Sequence, residues 1–136
     1  MVAGVLVFAI TTTLAKLALE PVFEVRRLIG RIAHALVFYA DIYSNPTLTT
    51  DQEGMDTKRA LRDLSSDLFA VTESLPRELW AGWAALKVLP PRTSVLNAAK
   101  FLIALSNGLR GAMGRTGLHN AEAATEIRVL LRITSA

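Results

Sequence analysis

The opening nineteen residues constrain this chain more than anything that follows them. Met1 to Ala15 (MVAGVLVFAITTTLA) holds no charge and no proline, and its only polar side chains are Thr11, Thr12 and Thr13. Lys16 interrupts the run, Leu17-Ala18-Leu19 resume it, and Glu20-Pro21 close it. As a helix rising about 1.5 Å per residue, this stretch reaches roughly 28 Å, close to the roughly 30 Å hydrocarbon core of a bilayer. Lys16 lies near one end, from where a lysine can snorkel to the headgroups. The segment 1–19 therefore reads as a transmembrane helix. Two other readings compete. A cleaved signal peptide calls for basic residues before the run and a small-x-small site after it; nothing basic precedes it, and Ala15-Lys16-Leu17-Ala18 is wrongly spaced. A core helix of a soluble bundle also accommodates an uncharged run this short.

The flanks set an orientation. No basic residue precedes the span, whereas Lys16, Arg26, Arg27 and Arg31 follow it. The positive-inside rule then places the carboxyl side in the cytoplasm and the amino terminus outside, in the inner membrane. The whole chain has 136 residues, 51% of them hydrophobic and 20% charged, with a mean hydropathy of +0.36. That composition excludes a disordered tail and sits at the apolar edge for a soluble domain. There is no cysteine, which excludes disulfides and thiolate chemistry and fits a reducing compartment.

From Pro21 to Ser44 the pattern predicts a second helix. Val22, Val25, Ile29, Ile32, Leu36, Tyr39 and Tyr43 are spaced alternately three and four apart, an unbroken heptad seam. A polar stripe runs opposite, with Glu20, Arg27, His34 and Asp41 seven apart and Glu24 and Arg31 between them. Such a helix packs on its own domain, or its seam or polar stripe faces identical helices around a symmetry axis. We expect the seam to serve homo-oligomerisation.

Asn45-Pro46 stops that helix, and Thr47 to Gly54 reads as a polar loop. A third helix is expected from Met55 to Leu75, capped by Asp56 or Thr57 and ended by Pro76. Arg77 to Leu89 is a short apolar segment carrying Trp80 and Trp83 on one face, suited to core packing or to a membrane surface. Thr93 or Ser94 should cap a helix to about Asn107, and Asn120 a last one. No strand-like alternation appears. The fold class is all-α: an N-terminal transmembrane helix (1–19) continuing into a cytoplasmic helical bundle (20–136) of about four to five helices.

Charge is spread unevenly: residues 91–136 carry six basic and two acidic groups, against five and seven in residues 46–90. The last third is thus where an anionic partner is sought. Gly108, Gly111, Gly114 and Gly117 stand three apart there, with Arg110 and Arg115 interleaved. Glycine lets backbone amides converge on an anion, and arginine forks a phosphate. With Arg92 and Lys100, Arg110 and Arg115 form a candidate site for a nucleotide, an oligonucleotide or anionic lipid headgroups. A flexible linker between helices explains the same glycines, and the stretch matches neither a P-loop nor a dinucleotide fingerprint. His34 and His119 are far apart, and no H-E-x-x-H, G-x-S-x-G or cysteine nucleophile occurs, so neither an enzyme nor a metal or cofactor site is expected.

Around Glu20-Pro21, Arg26-Arg27-Leu28-Ile29-Gly30-Arg31-Ile32-Ala33 and Asn45-Pro46, the sequence resembles small bacterial single-pass membrane proteins of uncharacterised function. Leu102-Ile103-Ala104-Leu105-Ser106-Asn107 and Glu126-Ile127-Arg128-Val129-Leu130-Leu131 carry the same likeness. The layout is also similar to channel-type membrane effectors of anti-phage defence systems, in which a nucleotide or nucleic-acid signal opens an oligomeric pore. That resemblance transfers no functional residue. It implies an oligomeric pore with Thr11, Thr12, Thr13 and Lys16 as candidate lining, although threonine is also tolerated in spans by bonding its own helix backbone. The alternative is a membrane-tethered adaptor whose bundle docks a protein partner.

Overall fold

The computed structural model describes residues 2–46, 50–110 and 117–134. Helix α1 (Val2–Phe38) runs without interruption from the apolar run into the bundle, with Pro21 inside it. The two helices expected on either side of Pro21 are therefore one. Proline removes a helical N–H donor and crowds the preceding turn. Here it stands at the boundary between two environments: every described residue before it is exposed or half-buried, and Val22 just after it is the first buried side chain among them.

Past that point the heptad takes over. Val22, Val25, Ile32, Leu36 and Tyr43 are buried in this chain's own core, and Ile29 and Tyr39 pack against it. The expectation that this seam joins identical helices is corrected: α3, α2 and their neighbours already cover it. The helix breaks at Tyr39 and resumes as α2 (Ala40–Ser44). Tyr43 Oη donates to the carbonyl of Leu36 at 2.6 Å, pairing a buried acceptor near the break.

Helix α3 (Asp51–Ser74) begins earlier than its apolar pattern implies, because Thr50 and Glu53 form a reciprocal capping box. The Thr50 hydroxyl accepts from the Glu53 amide at 3.2 Å, and the Glu53 carboxylate accepts from the Thr50 amide at 3.1 Å. The caps expected at Asp56 and Thr57 are superseded; Thr57 is buried and returns its hydroxyl to the Glu53 carbonyl at 2.8 Å. Helix α4 (Arg77–Ala85) packs Trp80 almost wholly inside, its indole N–H donating to the Pro90 carbonyl at 2.9 Å. Of the two environments open to the tryptophans, Trp80 takes the core and Trp83 lies half-buried against it. Helix α5 (Arg92–Asn107) starts directly after Pro91, upstream of the expected caps. A 3₁₀ turn (Gly108–Arg110) follows it. Helix α6 (Gly117–Leu130) starts before Asn120, which is thus inside its first turn rather than its cap.

Side-chain contacts fix the topology. Glu24 and Leu28 share a groove with Val71 and Ser74, while His34 and Tyr39 share another with Ala60 and Asp63, so α1 and α3 are antiparallel. Arg92 meets Glu73 at one end of α5, and Asn107 meets Arg62 at the other, so α3 and α5 are antiparallel too. Helices α1, α3, α5 and α6 alternate in direction, and α4 lies across one end. That end, where α1 enters at Val22, is the base; Tyr43, Gly108 and Asn120 mark the far end. Ala98 and Ala99 are fully buried where α3 meets α5, and Ser65 Oγ donates across to the Ala99 carbonyl at 2.8 Å.

Two substitutions check this packing. Leu36→Ala should cost about 2–5 kcal/mol, because a fully buried leucine leaves a cavity between packed helices. Thr50→Ala should cost about 1 kcal/mol by opening the capping box. Chemical denaturation of the full chain in detergent measures both, and equal small effects would contradict the seam's place in the core.

Candidate functional site

The first half of α1 is an uncovered arm. None of its most apolar eighteen-residue window is buried, and Phe8 is 73% exposed. The helix is long and apolar enough to cross a membrane. Nothing in this bundle covers that arm. Large apolar side chains in such a continuous array are the kind of surface that soluble chains hide. Thr12 and Thr13 return their hydroxyls to the carbonyls of Phe8 and Ala9, each at 2.8 Å. Each hydroxyl thereby has a partner within the helix, as an apolar medium requires. Thr11 and Lys16 are exposed on the same arm.

Two grooves flank α1 at the base, and their electrostatics differ. The groove toward α3, about 450 Å³, balances its charges: Glu24 lies 3.7 Å from Arg27, and Arg31 lies 3.5 Å from Asp67. Both pairs are exposed and contribute little to stability. The second groove, about 470 Å³, lies between α1, the α4–α5 connection and the segment after α6. Arg26, Lys87 and Arg132 line it, and among the described residues no acidic one does. Gly30 and Ala33 of α1 leave it room, and a Cβ on Gly30 would meet no atom within 4 Å.

The backbone there is unusual in one respect. Among the described residues, Lys87 (φ 56°) and Arg132 (φ 54°) are the non-glycine residues with positive φ. Each sits just past a helix end in a Schellman-type closure. The amide of Val88 reaches back to the Trp83 carbonyl at 3.0 Å, and that of Ile133 to the Arg128 carbonyl at 2.8 Å. Glycine ordinarily occupies this position, because a side chain in left-handed conformation costs about 1–2 kcal/mol. The two cations also lie beside the negative ends of the α4 and α6 dipoles, which offsets part of that cost.

Of the four residues proposed for anion binding from sequence, Arg92 and Lys100 stand two turns apart on α5. Arg92 is engaged by Glu73 at 2.8 Å at the start of α5. Lys100 is exposed two turns further along the same helix. Arg110 is placed by its backbone alone, in the 3₁₀ turn. Arg115, with Gly111 and Gly114, lies outside the described residues. Gly108 has a packing role: a Cβ there would collide with the side-chain oxygen of Asn120. Asn120 is buried and donates to the Tyr43 carbonyl at 2.8 Å and to that of Gly108 at 3.3 Å, tying α2, the turn and α6 together. Among the described residues no cluster of three metal-ligating side chains occurs.

Sequence reasoning missed Arg26, Lys87 and Arg132 as a group because they are far apart in the chain. The available signal was local: Lys87 and Arg132 each close an apolar helical run where glycine is usual. No family model matches this chain, nor does any curated protein or solved structure.

Lys87→Gly and Arg132→Gly should each keep the fold, with stability unchanged or raised by up to about 1 kcal/mol, since glycine relieves the left-handed strain. Gly108→Ala should instead cost about 1–3 kcal/mol through its clash with Asn120. Thermal unfolding of the three variants beside the parent distinguishes the two directions.

Proposed function

We propose that this chain is a single-pass membrane tether that holds a helical bundle rigidly at the cytoplasmic face of the inner membrane, where the bundle docks a protein partner. The observation that carries this reading is the continuity of α1. Its apolar arm is uncovered on every side, and the same helix becomes a wall of the core without an intervening loop. A flexible linker would leave the bundle free to tumble below its anchor. A continuous helix fixes its distance and its orientation. Lys16, Arg26, Arg27 and Arg31 on the carboxyl side of the arm support the cytoplasmic placement.

An oligomeric pore is the second reading, supported by the same bare arm, on which identical spans have room to pack. It loses the heptad as an assembly seam, because that face is occupied within the monomer. Assembly would then rest on the spans, and Thr11 and Lys16 would be the exposed polar groups at hand. A gating signal bound by Arg92 has to displace Glu73 first.

The absence of cysteine makes the test direct, because one introduced thiol is the sole reactive site. With Gln52→Cys at the far end of the bundle, an impermeant maleimide should label the chain only after cells are opened. The chain should also stay in the membrane through an alkaline carbonate wash, and its native mass in detergent should be that of a monomer. Labelling of intact cells overturns the cytoplasmic placement, release by carbonate overturns the span, and a discrete ring-sized mass overturns the tether in favour of the pore.

A further inference from the structure

The geometry points to a binding site for the phosphate of anionic phospholipid headgroups, formed by Arg26, Lys87 and Arg132 in the groove at the base of the bundle. This site rests on the tether reading and adds to it a chemistry of lipid recognition. Three like charges line one groove, and among the described residues no acidic side chain lines it with them. The neighbouring groove, by contrast, supplies Glu24 and Asp67 to its arginines. Uncompensated cations in one concavity repel each other and attract an anion that fits between them.

The backbone gives an independent reason. Two of the three cations occupy left-handed positions that glycine fills more cheaply. Two elements distant in sequence, the ends of α4 and α6, carry the same costly substitution and aim it at the same groove. A lysine and an arginine held there by closed hydrogen-bonded turns are fixed at their base, so less freedom is lost on binding.

Position selects the lipid headgroup over a free anion. Arg26 follows Leu19 by seven residues, roughly 10 Å along the helix axis. The polar layer of a bilayer adds about 5–7 Å on each side, and a long cationic side chain covers the remainder. Apolar side chains accompany the cations at this end. Leu86, directly before Lys87, is 70% exposed, and Phe23 and Leu79 are exposed as well. A dissolved phosphate has no use for them, whereas an interface seats apolar groups beneath cationic ones.

The full chain, purified in an uncharged detergent, is titrated with dihexanoyl phosphatidylglycerol, dihexanoyl phosphatidylcholine and inorganic phosphate, and bound species are counted by native mass spectrometry. Phosphatidylglycerol should bind, with affinity falling as salt rises. Phosphatidylcholine should not bind, and equimolar inorganic phosphate should not displace phosphatidylglycerol. The double variant Lys87→Gly/Arg132→Gly should bind roughly 25-fold more weakly, about five-fold per cation. Lys58→Gln/Arg59→Gln at the far end should bind like the parent. Equal binding of phosphatidylcholine, displacement by phosphate, or unchanged affinity in the double variant each overturns the site. A thermal melt shows whether the double variant is folded; if it is not, Arg26→Gln is titrated in its place. A carbonate wash of the same membranes separates the two levels of the argument. A chain that washes off sinks the tether itself, while one that stays but shows no preference for phosphatidylglycerol sinks only the headgroup site.

Discussion

Everything in this molecule depends on one helix presenting two different surfaces in succession. Through its first turns α1 is apolar all round and uncovered, a surface that marks a membrane or partner contact. After Pro21 its apolar residues narrow to a stripe at alternating spacings of three and four, and the bundle closes over that stripe. The change happens within about one turn, between Leu19 and Val22, where Glu20 and Pro21 stand. The packing of α3, α5 and α6 covers the second half of α1, and under the tether reading the bilayer covers the first. Fold and location are therefore one problem for this chain.

The spacing rule served well where burial depends on one helix face and poorly where it depends on a partner's position. The seam from Val22 to Tyr43 follows directly from its three-four alternation, and so does the buried row Leu61, Leu64, Leu68 of α3. Periodicity does not say what covers a seam: the same alternation suits identical helices or the chain's own, and here the chain folds back over it. The start of α3 was legible too, since Thr50-x-x-Glu53 spells a capping box, but the apolar pattern alone pointed several residues later. Asn120 shows the opposite limit. Its residue type suits a cap, yet its amide is used in the interior, on carbonyls that only the tertiary fold brings near.

Glycine and arginine are locally dense around Arg110 and Arg115, which makes that stretch the conspicuous candidate for an anion site. Local density is a poor guide in an up–down bundle, where each helix end meets partners dozens of residues away. The groove at the base draws on α1, on the turn after α4 and on the turn after α6. What these positions share in sequence is subtle: a cation at the residue where a helix stops. Two such ends fall side by side because α4 lies across the base and α6 descends to it.

Rigidity and oligomerisation compete for the same helix. A seam of seven positions can hold a bundle onto its span or hold spans to one another, but a residue buried once is not available again. Here the seam is spent inside the chain, which makes the arm and bundle a single lever and leaves association to the span alone. On that arm, Ala15 and Ala18 continue the register of Val22 and Val25, so the face they share points toward the bundle's own core side. Neighbouring copies packed along that face would bring their bundles together before their spans met. Under the tether reading, the continuity that holds the bundle at the membrane also works against close packing of the arms along that face.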